Sequence, residues 1–199
     1  LLERNQKTFD ACVIELDVVP TADTLTFNYV FGSEEYDEFV GSSYNDVFAF
    51  FFIWKGIKNV KNLAVVPNTK TPVSVNSINN GGGSYGKSAS NPAYFVSNLD
   101  GHVGLEYDGV TKLMEIKQAV TPYETYHIKL AIADVGDNAY DSGVLIEGRS
   151  IVSYENKYNV LYDKNSNTIE SGYQHMLDAL ALQYKNYGGK IILTGHTDS

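Results

Sequence analysis

Cysteine is nearly missing: Cys12 stands alone among 199 residues, so no internal disulfide can close. An exported chain can manage without disulfides if its core is large, and 43% hydrophobic and 13% aromatic content are ample for one. In the pattern CVIELDV, Cys12 alternates with apolar residues and reads as a buried thiol on a strand. Long apolar runs are missing too. The run VFAFFFIW, residues 47–54, is far too short to cross a bilayer, and no signal peptide is visible. Most telling is the absence of positive charge from one quarter of the chain. No Lys or Arg lies between Lys7 and Lys55, yet nine acids do: Asp10, Glu15, Asp17, Asp23, Glu34, Glu35, Asp37, Glu38 and Asp46. The other 15 acids match the 15 basic residues, so that quarter holds the whole net charge of −9. A charge of that sign argues against nucleic acid or an anionic membrane surface as partner.

Tyr, Phe, Val, Thr and Asn are prominent while Ala and Arg are scarce, which favours strands. DTLTFNYVF alternates, with Leu25, Phe27, Tyr29 and Phe31 on one face and Thr24, Thr26 and Asn28 on the other. VFAFFFIW is apolar on both faces, as a central strand covered on both sides would be. NLAVVP, TPVSVNSI, VGLEYDG, TKLMEIKQAV, TYHIKLAIAD and SGVLIEGRSIVSY read as further short strands. The spacing predicts a mainly β fold, a jelly-roll-like β-sandwich over residues 1–153. The segment INNGGGSYGKSASNPA reads as a flexible loop around Gly81–Gly83, without the strand-to-helix context of a phosphate loop.

After Tyr154 the period changes. Met176, Leu177, Leu180, Ala181 and Tyr184 fall at helical spacing, with Ser171 as a cap and Gly188-Gly189 as a stop. With strands at 159–162 and in KIILTG, residues 154–199 form a partial α/β unit, strand-helix-strand. The chain begins without Met and ends at HTDS, and it reads as a segment of something longer.

The acids fall in two groups. Glu34, Glu35, Asp37 and Glu38 crowd one loop, with Asp46 just before the apolar strand; Asp134, Asp137 and Asp141 follow in ADVGDNAYDSG. Calcium takes about 6–8 oxygen ligands, commonly carboxylates and carbonyls from loops. The expectation is that Glu34, Glu35, Asp37, Asp46, Asp134, Asp137 and Asp141 converge on one or two Ca2+ ions, making folding metal-dependent. The blander alternative is that these acids are solvated, that Asp46 bonds the turn before its strand, and that Asp141-Ser142-Gly143 is a tight turn. No His and Cys set has zinc spacing. Paired carboxylates on a jelly roll could instead hydrolyse glycosidic bonds, with Trp54, Tyr36, Tyr44 and Tyr85 along a sugar groove. Clustered acids are more readily explained by a cation, and no Ser-His-Asp or Cys-His arrangement suggests a nucleophile, so the chain is read as no enzyme.

FNYVFGSEEYDEFVGSSYNDVFAFF, NLAVVPNTKTPVSVNSIN, YDGVTKL and TYHIKLAIADVGDNAYDSGVLIEGRS together resemble the choice-of-anchor L domain of bacterial surface proteins. One departure is FFIWKGIKN, where relatives carry a small-residue loop of the type SGPG. The tail, from YNVLYDKN to GHTDS, is similar to the first half of an OmpA-like peptidoglycan-binding domain. That resemblance implies that Asp198 grips the ammonium group of diaminopimelate, with an Arg that this sequence does not include. Jointly they imply an exported module of a Gram-negative envelope, at the outer membrane, periplasm or cell surface, tethered non-covalently to peptidoglycan. Such a module could take a glycan or protein ligand; a polysaccharide hydrolase and a structural spacer are the alternatives.

Overall fold

The computed structural model describes residues 7–54, 60–137, 139–155, 168–169, 173–178, 181 and 185. Ten strands are described: β1 (Thr8–Val18), β2 (Thr24–Ser33), β3 (Val47–Trp54), β4 (Lys61–Asn62), β5 (Phe95–Ser97), β6 (Gly109–Thr111), β7 (Met114–Ala119), β8 (Tyr126–Val135), β9 (Ser142–Ile146) and β10 (Val152–Tyr154). They form two antiparallel sheets, and helix among the described residues is limited to a 3-10 turn at Pro92–Tyr94 and to positions 173–178, 181 and 185. One has the order β1-β8-β3-β4. The other is built on β2, with β9 and β10 along one edge, β6 and then β5 on the opposite side, and β7 also paired to β2.

The chain divides into two compact units. The larger holds residues 1–18, 27–116 and 125–150. Its core follows from alternation on β2 and from the doubly apolar β3. Phe27, Tyr29 and Phe31 are buried, and so are Phe48 and Phe50 of β3. The Phe27 and Phe50 rings lie 4.9 Å apart and those of Tyr29 and Phe48 5.1 Å apart, tilted as quadrupoles prefer. Rings of one sheet thus meet rings of the other. β3 is flanked by β8 along its whole length, from Val47 opposite Ala133 to Trp54 opposite Tyr126, and by the short β4 on its other side.

On the β1–β8 ladder, Glu15 lies opposite Lys129 and Asp17 opposite His127, with contacts of 2.8 and 2.9 Å. Two of the nine unbalanced acids therefore find partners across the strand pair, Lys129 and the His127 ring. The buried-thiol expectation for Cys12 is overturned: the residue is exposed. β1 is an edge strand, and its pairing slips between Phe9 and Cys12, where Asp10 takes φ 43°. Alternation there marks a strand with two open faces, and Val13 and Ile14 are exposed as well.

Three predicted strands are not strands along most of their length. In NLAVVP only Asn62 belongs to one, TPVSVNSI contributes isolated bridges, and VGLEYDG is irregular until Gly109. The apolar residues are nonetheless inside: Ala64, Val66, Val73, Val75 and Ile78 are all fully buried. Side chains divert the backbone there. Asn62 Oδ1 accepts from the amides of Phe50 and Ala64, each at 3.0 Å, and Ser77 Oγ accepts from Ser74 N–H at 2.9 Å. SGVLIEGRSIVSY is two strands, because Arg149 turns at φ 64° between β9 and β10. β5 was not foreseen.

The smaller unit holds residues 19–26, 117–124 and 151–199. Within it Val152–Tyr154 pair with Thr24–Thr26, and Val120 N–H donates to Asp23 O at 2.8 Å. Of the predicted tail, residues 173–178 are helical. The strands at 159–162 and 190–195, the caps Ser171, Gly188 and Gly189, and Asp198 lie outside the described residues.

Truncating Phe50, which is 1% exposed, should cost about 3–5 kcal/mol in urea unfolding as Phe50→Ala, whereas Leu113→Ala at a 57% exposed position should stay within about 0.5 kcal/mol.

Candidate functional site

The acidic loop after β2 is a chain of tight turns. Phe39 N–H donates to Glu35 O at 3.1 Å, Val40 N–H to Asp37 O at 3.2 Å and Ser42 N–H to Phe39 O at 2.9 Å. Tyr36 anchors it. That ring is completely buried, 4.7 Å from the Phe95 ring, and its hydroxyl donates to Ile78 O at 2.8 Å. Gly109 makes room for this pair: a Cβ there would stand 2.6 Å from the Phe95 ring and 2.7 Å from the Tyr36 ring.

The two acidic loops meet at Glu34 and Asp141. Glu34 N–H donates to Asp141 O at 3.0 Å, and Asp141 N–H donates to Glu34 Oε2 at 3.1 Å. Asp46 Oδ1 accepts Val135 N–H at 3.0 Å, and its Oδ2 accepts the Ser142 hydroxyl at 2.6 Å. Rings join the same loops: Phe39 lies 5.6 Å from Tyr44 and 5.3 Å from Tyr140, and Gly136, at φ +104°, lets Tyr44 pack against the backbone.

Glu35 is the anomaly. It is 2% exposed, and its Oε2 finds no hydrogen-bond partner. Burial pushes its pKa up to about 8, and Asp46, Asp137, Asp134 and Glu38 push the same way. Asp134, 6% exposed, is raised to about 6 by burial and by Asp46, Asp141, Asp10 and Asp137. For Asp46, burial raises the pKa, while the bonds from Ser142 and Val135 work against that rise. Asp137 Oδ1 accepts Ala139 N–H at 3.2 Å, a local turn bond.

Asp37 shares only Glu38 with Glu35 among the acids that act on it. Burial raises its pKa first, then Glu38 and Asp108, and its Oδ1 is buried without a partner. Asp10 entered only the charge balance, and neither it nor Asp108 was foreseen beside these acids. The usable signal was the Asp108-Gly109 pair, since Gly109 is what allows the Tyr36 and Phe95 rings to close beside it. The glycine-rich segment, expected to be a loose loop, packs here instead. Ser84 N–H donates to Glu38 O at 3.1 Å, and a Cβ on Gly83 would meet Asp37 O at 2.2 Å. Among the described residues, no three His, Cys, Asp or Glu side chains are grouped as a metal site.

Two concavities lie nearby. One, of about 270 Å³, is lined by residues including Asn45, Thr71 and Ser74; the other, of about 400 Å³, includes Val40, Gly41 and Lys87. Asn76 and Ser90 line both, and neither has a carboxylate in its lining. Of the aromatic residues weighed for a sugar groove, Trp54 lies against Tyr126 at 6.0 Å, Tyr36 is sealed in the core and Tyr85 is exposed.

The family profile of the choice-of-anchor L domain matches residues 1–152, and the chain belongs to that family. Membership places it among surface-displayed or exported bacterial proteins. No curated protein and no solved structure matches the chain.

Two outcomes follow from this geometry. A carboxyl whose folded pKa of about 8 exceeds its unfolded value of 4.5 stabilises the fold most below about 4.5, and that gain is lost as pH rises through about 8. In EDTA, the melting temperature should therefore rise as pH is lowered from 8.5 towards 5, and Glu35→Gln should remove most of that rise above about pH 6. Gly83→Ala should cost more than Gly82→Ala in chemical denaturation. Both take positive φ, but a Cβ on Gly82 would meet nothing within 4 Å.

Proposed function

We propose that the chain is a non-catalytic binding module displayed at the envelope of a Gram-negative bacterium. Its β strands form a jelly-roll-like sandwich, and an OmpA-like segment from about residue 154 tethers it to peptidoglycan through Asp198. The observation that carries the display reading is the family match over residues 1–152. The sandwich reading draws on the ring contacts between β2 and β3. The tether draws on the GHTDS motif at residues 195–199.

What supports a binding role over hydrolysis is where the acids sit. A glycosidase needs its two carboxyls to flank a sugar in an open cleft. Glu35 and Asp46, at 2% and 1% exposure, are shut from solvent, and the two concavities are lined without acids. The loops instead present exposed Tyr140 beside half-buried Phe39 and Tyr44, rings of the kind that stack on a glycan or protein ligand.

An antibody raised against the purified chain should label intact cells that express the full protein, and Asp198→Ala should reduce co-sedimentation of that protein with purified peptidoglycan. Antibody that labels only permeabilised cells would count against surface display. A glycan array separates a binder from a spacer, and polysaccharide turnover lost in Glu35→Gln would replace this reading with the hydrolase.

A further inference from the structure

Acids are missing from one stretch of the chain as completely as bases are from another. No Asp or Glu lies between Asp46 and Asp100, where five Lys do: Lys55, Lys58, Lys61, Lys70 and Lys87. With no Arg there either, that stretch has a formal charge of +5, and it is rich in Asn, Ser and Thr. Both concavities are built mainly from it. Thr71, Ser74 and Ser77 line one, Asn79, Lys87 and Ser88 the other, and Asn76 and Ser90 belong to both, so the two adjoin as one groove. Side-chain amides fix its floor. Asn76 Oδ1 accepts Gly41 N–H, its Nδ2 donates to Ser42 O at 2.9 Å, and its backbone N–H donates to Asn45 Oδ1 at 2.8 Å. Asn79 Oδ1 accepts Gly81 N–H at 2.9 Å and Ser90 N–H at 3.1 Å. The edges differ. Among the described residues, Asn45 Nδ2, Thr71 Oγ1, Ser88 Oγ and Lys87 Nζ have no partner. Thr71, Lys87 and Ser88 are exposed, and the Lys87 stem lies against Gly41, where a Cβ would stand 2.1 Å from its Cγ.

We propose that this groove binds an acidic glycan, a chain of sugars bearing carboxylates. Lys87 pairs with a carboxylate, while Asn45, Thr71 and Ser88 bond the sugar hydroxyls. The lining selects this class. A cation would meet no carboxylate there, and an apolar ligand would strand an amide, two hydroxyls and an ammonium without partners. A nucleic acid needs several phosphate-binding cations and rings on which bases stack, and the lining offers one Lys and no ring. What remains is a ligand with many hydroxyls and sparse negative charge. The amides that hold the floor leave it pre-organised, so little ordering is needed on binding. The net charge of −9 resides between residues 7 and 55, and such charge is screened beyond about 8 Å at physiological salt. The proposal rests on the reading of the chain as a binding module, and it puts the ligand in the groove instead of on the Phe39, Tyr44 and Tyr140 rings.

The test titrates the whole chain with oligosaccharides of galacturonate, alginate and hyaluronan, each alongside the same oligomer with its carboxyls reduced to alcohols. At least one acidic oligomer should bind, and its reduced form should bind at least about tenfold more weakly. Raising NaCl from about 50 to about 500 mM should weaken the acidic form several-fold, because an exposed ion pair is screened. Lys87→Met keeps the stem and should erase the preference for the carboxylated form. Thr71→Val and Ser88→Ala should each weaken both forms about three- to tenfold. These positions are exposed, so unchanged melting temperatures will show that the variants fold. No binding of any of the three acidic oligomers would overturn the groove. So would equal affinity for the reduced form, or binding that survives Lys87→Met and Ser88→Trp unchanged. Binding lost in Tyr140→Ala and kept in the groove variants would also overturn it, yet would leave the binding-module reading standing. Surface labelling of cells depends on none of these outcomes.

Discussion

The acceptor pair on Asp46 is the constraint on which the loop end of this fold depends. One carboxylate at the doorstep of β3 takes the backbone N–H of Val135, 89 residues later, and the hydroxyl of Ser142, 96 residues later. It thereby joins the start of β3 to the end of β8 and the start of β9. A buried carboxylate holding two donors is a strong, directional tie, because charge-assisted bonds exceed neutral ones when solvent is excluded. Its cost is that the tie must carry a negative charge into a region already dense with acids.

That cost shows in how differently the acids of the unbalanced quarter fare. Glu15 and Asp17 lie on an open face of β1, opposite Lys129 and His127, where ion pairing is easy and contributes little. Glu35 lies where its neighbours are rings, backbone and other carboxylates. Tyr36, buried beside it and bonded to Ile78 O, leaves the loop little freedom to turn Glu35 outward. The carboxyl is therefore held in place by aromatic packing next door, and its raised pKa means that a proton relieves the charge up to about pH 8.

Much of the frame could be read in the sequence. The period of two on β2 put Phe27, Tyr29 and Phe31 inside, and the double apolarity of β3 marked a strand covered on both faces. What could not be read was where side chains would take over backbone bonds. Asn62 and Ser77 satisfy amides that a ladder would otherwise use, so buried apolar segments follow irregular paths. Cys12 misled because alternation gives the period of a strand and says nothing about whether a second layer covers it. In the candidate site, the lack of Lys and Arg between residues 7 and 55 pointed to the loop that carries Glu34–Glu38. It could not show which acids would act on Asp37 and which on Glu35, since that depends on how Gly109 and Gly83 admit close packing.

The residues that invite an enzymatic reading are closed in by their surroundings. A raised carboxyl pKa next to other carboxylates is the electrostatic mark of a general acid, and Glu35 has it. Catalysis also needs the acid to reach a substrate atom, and Glu35 is 2% exposed on a loop clipped through Asp141. Perturbation without access is what a structural ion site produces as readily as an active site does. Accessibility therefore separates the two readings, and the burial of Glu35 is the observation on which both turn.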